Sequence, residues 1–310
     1  MYLNEIEYRF DHRKENLFKR LHKVMERIGD AMNQAANNTD EKVVADFGSE
    51  WSRFGQSELS SEEREVMFDD YFRIFPWDQL PASASGADIG CGSGRWAVLV
   101  APQVAHLHCV DASAVALDVA RRNLHKQLNV EFHLASVEDL PFPDSALDFA
   151  YSLGVLHHVP DTAAAVKSVA RVLKPGAPLL LYLYYAFDTR PFWFKLLWRV
   201  SDIARRVISC LPSKLKNLVC DVIAALVYWP LARLGLLLER LRLMPASWPL
   251  SSYRDKSFYT LRTDALDRFG TRLEQRYTQA QIRSFMSEAG LIDLHFSDHP
   301  PYWCVVGYKK

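Results

Sequence analysis

No sign of charge dominates this sequence. Lysine plus arginine and aspartate plus glutamate both number 37, so the balance gives no pull toward nucleic acid. Cysteine is scarce: Cys91, Cys109, Cys210, Cys220 and Cys304 show neither C-x-x-C nor Cys/His metal spacing. No disulfide framework and no metal centre are expected, only reduced thiols in a cytosolic protein. The opening residues Met1-Tyr2-Leu3-Asn4-Glu5 lack a basic-then-apolar signal pattern, so a cytoplasmic setting is expected rather than export. Repeats and low-complexity tracts are absent. The most apolar stretch, Leu218 to Leu238, is interrupted by Asp221, Pro230 and Arg233, with Pro230 read as a break. A spanning helix needs about 18–20 apolar residues, so no transmembrane segment is expected.

What the sequence does have is a glycine-rich turn in a chain long enough to bury a substantial core. Ala87-Asp88-Ile89-Gly90-Cys91-Gly92-Ser93-Gly94-Arg95 reads as a buried strand turning over three glycines into a helix from Trp96. Such a turn, with the unpaired N–H groups of the next helix, cradles the polar end of a ligand. A dinucleotide fingerprint would place glycine or alanine where Arg95 stands. What remains is D-x-G-x-G-x-G. It resembles the first motif of the class I S-adenosylmethionine-dependent methyltransferases.

The next segments keep that family's order. His106 to Asp111 reads as a second strand ending in an acid, and Ser113 caps the helix that follows. Val130 to Leu134 and Leu147 to Leu153 read as the third and fourth strands. Asp161 and Thr162 open a helix with Ala165, Val166, Val169 and Leu173 on one face, and Pro178 to Tyr184 is a fully apolar fifth strand. L-P-F, G-V-L-H-H-V and L-K-P-G are most similar to the group that includes the quinone and sterol methyltransferases. The resemblance covers roughly residues 85 to 185.

It implies an α/β fold: a Rossmann-like seven-stranded methyltransferase sheet with the last strand antiparallel, an N-terminal helical cap and a helical insertion. The cap is expected over 1–80 and the methyltransferase domain over 81–310. A helix from Gln279 and strands at Leu291–Phe296 and Tyr302–Tyr308 would complete the sheet. Within the cap, residues 5–36 pattern as amphipathic helix. Phe47 to Phe54 reads as an aromatic loop, in which Trp51 or Arg53 closes over a cofactor or merely pins a surface segment.

The insertion at about 187–258 is rich in tryptophan and leucine. Between Arg190 and Met244 it holds ten basic and three acidic residues. Basic, apolar, helical segments suit an anionic membrane surface or a lipid-linked substrate. A substrate lid and a homodimer interface remain open beside that reading.

By resemblance the cofactor is S-adenosyl-L-methionine. Asp88, Gly90, Cys91 and Gly92 would flank its methionine part, Asp111 its ribose and Ala112 its adenine. Ser136 stands where many relatives carry an aspartate toward the adenine amino group, leaving Val137 and Glu138 at that edge. Leu153 and Gly154 would lie beneath the sulfonium. His157 and His158 follow the fourth strand, where a histidine is either a general base or a structural hydrogen-bonding group. Asp264, Asp267 and Arg268, read as a polar loop, are candidate substrate binders. The acceptor is expected to be a small or lipid-linked molecule methylated on oxygen or carbon. No N/D-P-P-Y-type loop follows the fourth strand, so a nucleic-acid or protein acceptor is not expected. A nicotinamide oxidoreductase and a non-catalytic nucleotide-fold scaffold are the rival readings.

Overall fold

The computed structural model describes residues 38–310 apart from 57, 188–189, 244 and 246–247. The helices expected at 5–36 lie outside the described residues. The core is one mixed sheet of β1 (Ser85–Ile89), β2 (His106–Asp111), β3 (Val130–Leu134), β4 (Phe149–Leu153), β5 (Pro178–Tyr182), β6 (Leu291–Phe296) and β7 (Cys304–Lys309). Its strand order is β3-β2-β1-β4-β5-β7-β6. Neighbours among β1 to β5 pair in parallel, and β7 runs antiparallel to both β5 and β6. This is the expected Rossmann-like sheet with its last strand antiparallel.

The central strands are apolar on both sides because helices cover both faces. On one face α5 (Thr162–Val172) and α10 (Gln279–Glu288) bring Val166, Val169, Ile282 and Met286 onto Ala87, Ile89, Leu179 and Leu181. On the other, α2 (Ser61–Phe72), the four-residue α3 (Ala97–Val100) and α4 (Ala114–Asn123) bring Phe68, Phe72, Val100 and Leu117 onto Cys109, Phe149 and Leu180. Each such valine or leucine, fully buried, contributes roughly 1.5–3 kcal/mol. The expected caps are in place: Ser113 Oγ accepts from Ala116 N at 3.3 Å and Asp161 Oδ1 from Ala164 N at 2.9 Å.

Three elements differ from the sequence reading. The segment through Phe47–Phe54 is no loop but the end of α1 (Glu41–Arg53), capped by Asp40. It packs so tightly on the start of α4 that a Cβ at Gly48 would sit 2.5 Å from Ser113 Oγ. The 264–270 segment is likewise the end of a helix, α9 (Phe258–Gly270), capped by Ser257. Pro230 does not break the insertion. After α6 (Phe192–Ile208), one continuous helix runs through α7 (Ser213–Ile223), a π-helical turn (Ala224–Tyr228) and α8 (Trp229–Arg240). Pro230, which has no N–H to donate, falls in the first turn of α8, directly after the π turn that ends with Trp229 N on Ala224 O.

By length and composition alone, this 28-residue helix could cross a membrane, and 22% of its most apolar window is buried in the protein. Asp221 ties it to the core instead. Its carboxylate accepts from Arg53 of α1 and from Arg262 of α9, the latter at 3.0 Å. A third apolar cluster forms where Cys220, Ala224 and Ala232 of the insertion meet Leu261, Ala265 and Phe54.

Candidate active site

The chain order reverses between β1 and β4, the place where open α/β sheets bind ligands at their strands' carboxyl ends. A cavity of about 600 Å³ lies there. Its floor is the glycine turn. Gly90 and Cys91 both donate their N–H to Val110 O, at 2.8 and 3.0 Å, which curls the chain back at the strand end. Gly90 (φ +77°) and Gly92 (φ +54°) are left-handed, and a Cβ at Gly90 would strike Val155 at 2.4 Å. Only glycine fits both demands.

Asp111 stands across from this turn at the end of β2. Its Oδ2 accepts from Gly92 N and its Oδ1 from Ser113 N, both at 2.8 Å. Burial raises its pKa, and those two backbone bonds oppose the rise. Of the residues expected around a cofactor, Gly90, Cys91, Asp111, Ala112, Ser136, Val137 and Leu153 line the cavity, as does Gly154. Asp88, Gly92 and Glu138 do not. Asp88 points from the opposite face of β1 toward Tyr151, where burial pushes its carboxyl up to about 8. Gly92 acts through its N–H on Asp111, with the Trp51 indole against it. Glu138 accepts from the backbone of Asn38, holding the chain that enters α1.

The far half of the cavity is more heavily charged. His158 lines it and His157 does not. The His157 ring is fully buried, 3.7 Å from the Tyr184 ring, and neither of its nitrogens has a hydrogen-bond partner among the described residues. Burial holds its pKa well below the usual value. His158 donates from Nδ1 to Leu273 O at 2.6 Å, which leaves Nε2 with its lone pair, 3.8 Å from Asp267 Oδ1. Burial lowers the His158 pKa to about 4. Asp267 accepts from the Tyr184 hydroxyl through Oδ2, while its buried Oδ1 has no hydrogen-bond partner among the described residues. Burial pushes both Asp264 and Asp267 to about 6, and it raises Glu50 well above the carboxylate range. Arg95 is the cation that opposes the rise in all three.

Sequence reasoning placed Asp264, Asp267 and Arg268 near the site but missed Glu50, Tyr182, Tyr184 and Arg95, which also line the cavity. The signal for the tyrosines was present: in the fifth strand as the sequence reads it, Pro178 to Tyr184, residues two apart point the same way. Of the two α1 candidates, Trp51 lines the cavity, whereas Arg53 is engaged by Asp221 and does not. Above the charged residues, Phe194, Leu197 and Trp198 of α6 and Leu231 of α8 form an apolar roof. Leu197 and Val227 also line the cavity and are 51% and 45% exposed.

Residues 87–181 match the family described as Methyltransferase domain. An uncharacterized methyltransferase, YcgJ of Bacillus subtilis, is 38% identical over 32% of this chain and 40% of its own length. A ubiquinone biosynthesis O-methyltransferase of Xylella fastidiosa is 36% identical over 32% of this chain and 42% of its own length. The chain therefore spans less than half the length of these curated relatives. The crystal structure of YcgJ aligns over 76% of this chain and 70% of its own, at 20% identity and a TM-score of 0.42, so the fold assignment rests on the strand order itself. Residues 87–181 therefore carry a methyltransferase domain, on the strand order expected of the class I S-adenosylmethionine-dependent family.

Proposed function

We propose that this chain is an S-adenosylmethionine-dependent methyltransferase whose acceptor is a lipid-linked small molecule with an ionisable oxygen. The observation that carries the reading is one cavity that joins the Asp111 end to the Asp267 end beneath the apolar side chains of Phe194, Leu197, Trp198 and Leu231. The donor fits the residues present. Asp111, its carboxylate pre-set by two backbone N–H groups, suits a pair of ribose hydroxyls. Ala112, Ser136 and Val137 offer a small, mostly apolar slot for adenine. At Gly154 even an added Cβ would meet nothing nearer than 3.8 Å, leaving room beside Leu153 for the sulfonium. Arg95, beside Trp51, is the cation for the amino-acid carboxylate.

When bound, S-adenosylmethionine supplies an electrophilic methyl group on sulfur. The chain's part is to align the acceptor and take its proton. Orientation alone can supply roughly 7–11 kcal/mol of barrier reduction. Asp267, which lines the cavity beside His158 and whose carboxylate is fixed by the Tyr184 hydroxyl, is the proton acceptor. Of the two histidines only His158 lines the cavity, as the neighbour of that carboxylate, and His157 is the packing group behind Tyr184. The relatives named for ubiquinone biosynthesis and for demethylmenaquinone support an apolar-tailed acceptor.

The same reading places the protein at the cytoplasmic surface of a membrane. On α6, Trp193, Leu196, Val200, Ile203 and Val207 recur three and four apart and are exposed, with exposed Arg199 and Arg206 beside them. The test is transfer of isotope-labelled methyl from the donor to a membrane-lipid extract. Label in the organic phase is expected. Label confined to water-soluble acceptors, or no transfer to any extract, would overturn the lipid-linked acceptor.

A further inference from the structure

We propose that His106, His108, Glu131 and His133 form a binding site for one divalent transition-metal ion on the β2–β3 edge of the sheet. The sequence places these residues as H-x-H on β2 and E-x-H on β3. A period of two puts each pair on one face of its strand. The parallel register sets Glu131 opposite His108 and His133 opposite Val110, so both pairs share the same face of the sheet.

The ligand atoms of His106, His108 and Glu131 all lie within 4.8 Å of one another, and His133 joins them through His108 and Glu131. Glu131 Oε2 lies 3.5 Å from His106 Nε2, 3.5 Å from His108 Nδ1 and 3.9 Å from His133 Nε2. His108 Nδ1 and His133 Nε2 are 2.9 Å apart. Ligands about 2.0–2.1 Å from a tetrahedral zinc sit about 3.3–3.4 Å from each other, within the span of these spacings. Hydrogen bonding alone would account for one His–His pair. It does not account for three imidazoles gathered around one carboxylate oxygen.

The surroundings are built as well. Ser85 Oγ lies 3.3 Å from His108 Nε2, so with Nδ1 on the metal the opposite N–H donates to a fixed hydroxyl. The Phe142 ring packs 4.9 and 5.2 Å from the His108 and His133 rings and walls off the inner side. The outer side is open: the side chains of His106 and Glu131 are 41% and 57% exposed, against 15% for His108. Three imidazoles and one carboxylate suit zinc, nickel or copper rather than magnesium or calcium. The ion would tie the half-exposed edge strand β3 to β2, just before Ala135, Ser136 and Val137 reach the cavity.

The test uses tag-free, chelator-stripped full-length protein titrated with Zn²⁺ by calorimetry and thermal melting. One ion per chain and a melting temperature raised by Zn²⁺ are expected. His106→Gln and Glu131→Gln, at the two most exposed positions, should each weaken Zn²⁺ binding at least about tenfold while leaving the metal-free melting temperature unchanged. Co²⁺ should give the intense visible spectrum of a four-coordinate nitrogen and oxygen site. No binding, binding equal in both variants, or a Co²⁺ spectrum with thiolate charge-transfer bands would overturn the proposal.

Discussion

Asp267 and His158 stand where proton chemistry is decided, and their burial sets the pH behaviour. The Asp267 carboxyl is pushed up to about 6, and the base form is the carboxylate, so turnover should rise with pH through about 6 and then level. That apparent value belongs to Asp267 together with its acidic neighbours Glu50 and Asp264. Asp267→Asn should remove this limb and slow methyl transfer about 10²–10⁴-fold, with S-adenosylhomocysteine affinity nearly unchanged, as rate profiles and titrations would read. Asp111→Ala should instead weaken S-adenosylhomocysteine binding by about 1–3 kcal/mol, because ribose hydroxyls lose a charged acceptor. Asp88 gives a stability signal. Its folded pKa of about 8 exceeds an unfolded value near 3.9, so the fold holds the extra proton and loses stability as pH climbs between the two. Asp88→Asn should gain nothing at pH 4 and on the order of a few kcal/mol at pH 8 in urea melts; equal gains at both would contradict the assignment. Asp111 was legible because the acid sits at a fixed distance from the glycine turn. Asp267 as a base was not, since Tyr184 and His158 reach it only in three dimensions.

At the scale of elements, the insertion presents two apolar faces. One packs Cys220, Ala224 and Ala232 against α9, and the other leaves Leu218, Val222 and Leu226 exposed beside the exposed stripe of α6. Exposed apolar faces of this kind mark interaction sites. The chain is expected to float with anionic liposomes, and Val200→Asp combined with Ile203→Asp should abolish flotation without changing S-adenosylhomocysteine affinity. A dimer that fails to float would assign the face to a second copy instead. Composition showed the insertion's basic, apolar character, but its continuity escaped the sequence. Pro230 reads as a breaker until the π turn before it is seen, and Asp221 reads as an interruption until Arg53 and Arg262 are found on its carboxylate. The same holds for α1 and α9, where aromatic and charged residues imitate loops because those faces line a cavity.

At the scale of the whole molecule, sheet order, caps and the position of the cavity follow from patterns that sequence displays directly. Alternating or continuous apolar runs set the strands, and the glycine turn sets the reversal point. Contacts between distant segments were the part hidden from it. Asn38 bonding Asp161 and Glu138, and Lys216 bonding Asp46 at 2.9 Å, close α1 and the insertion over the sheet. All of this organises one cavity, and its ligand is the central claim. The most direct measurement is calorimetric titration of the full chain with S-adenosylhomocysteine, with NADH as the comparison. One site of micromolar affinity for S-adenosylhomocysteine, weakened in Asp111→Ala and absent for NADH, is the expected result. No binding of S-adenosylhomocysteine, or tighter binding of NADH, would contradict it.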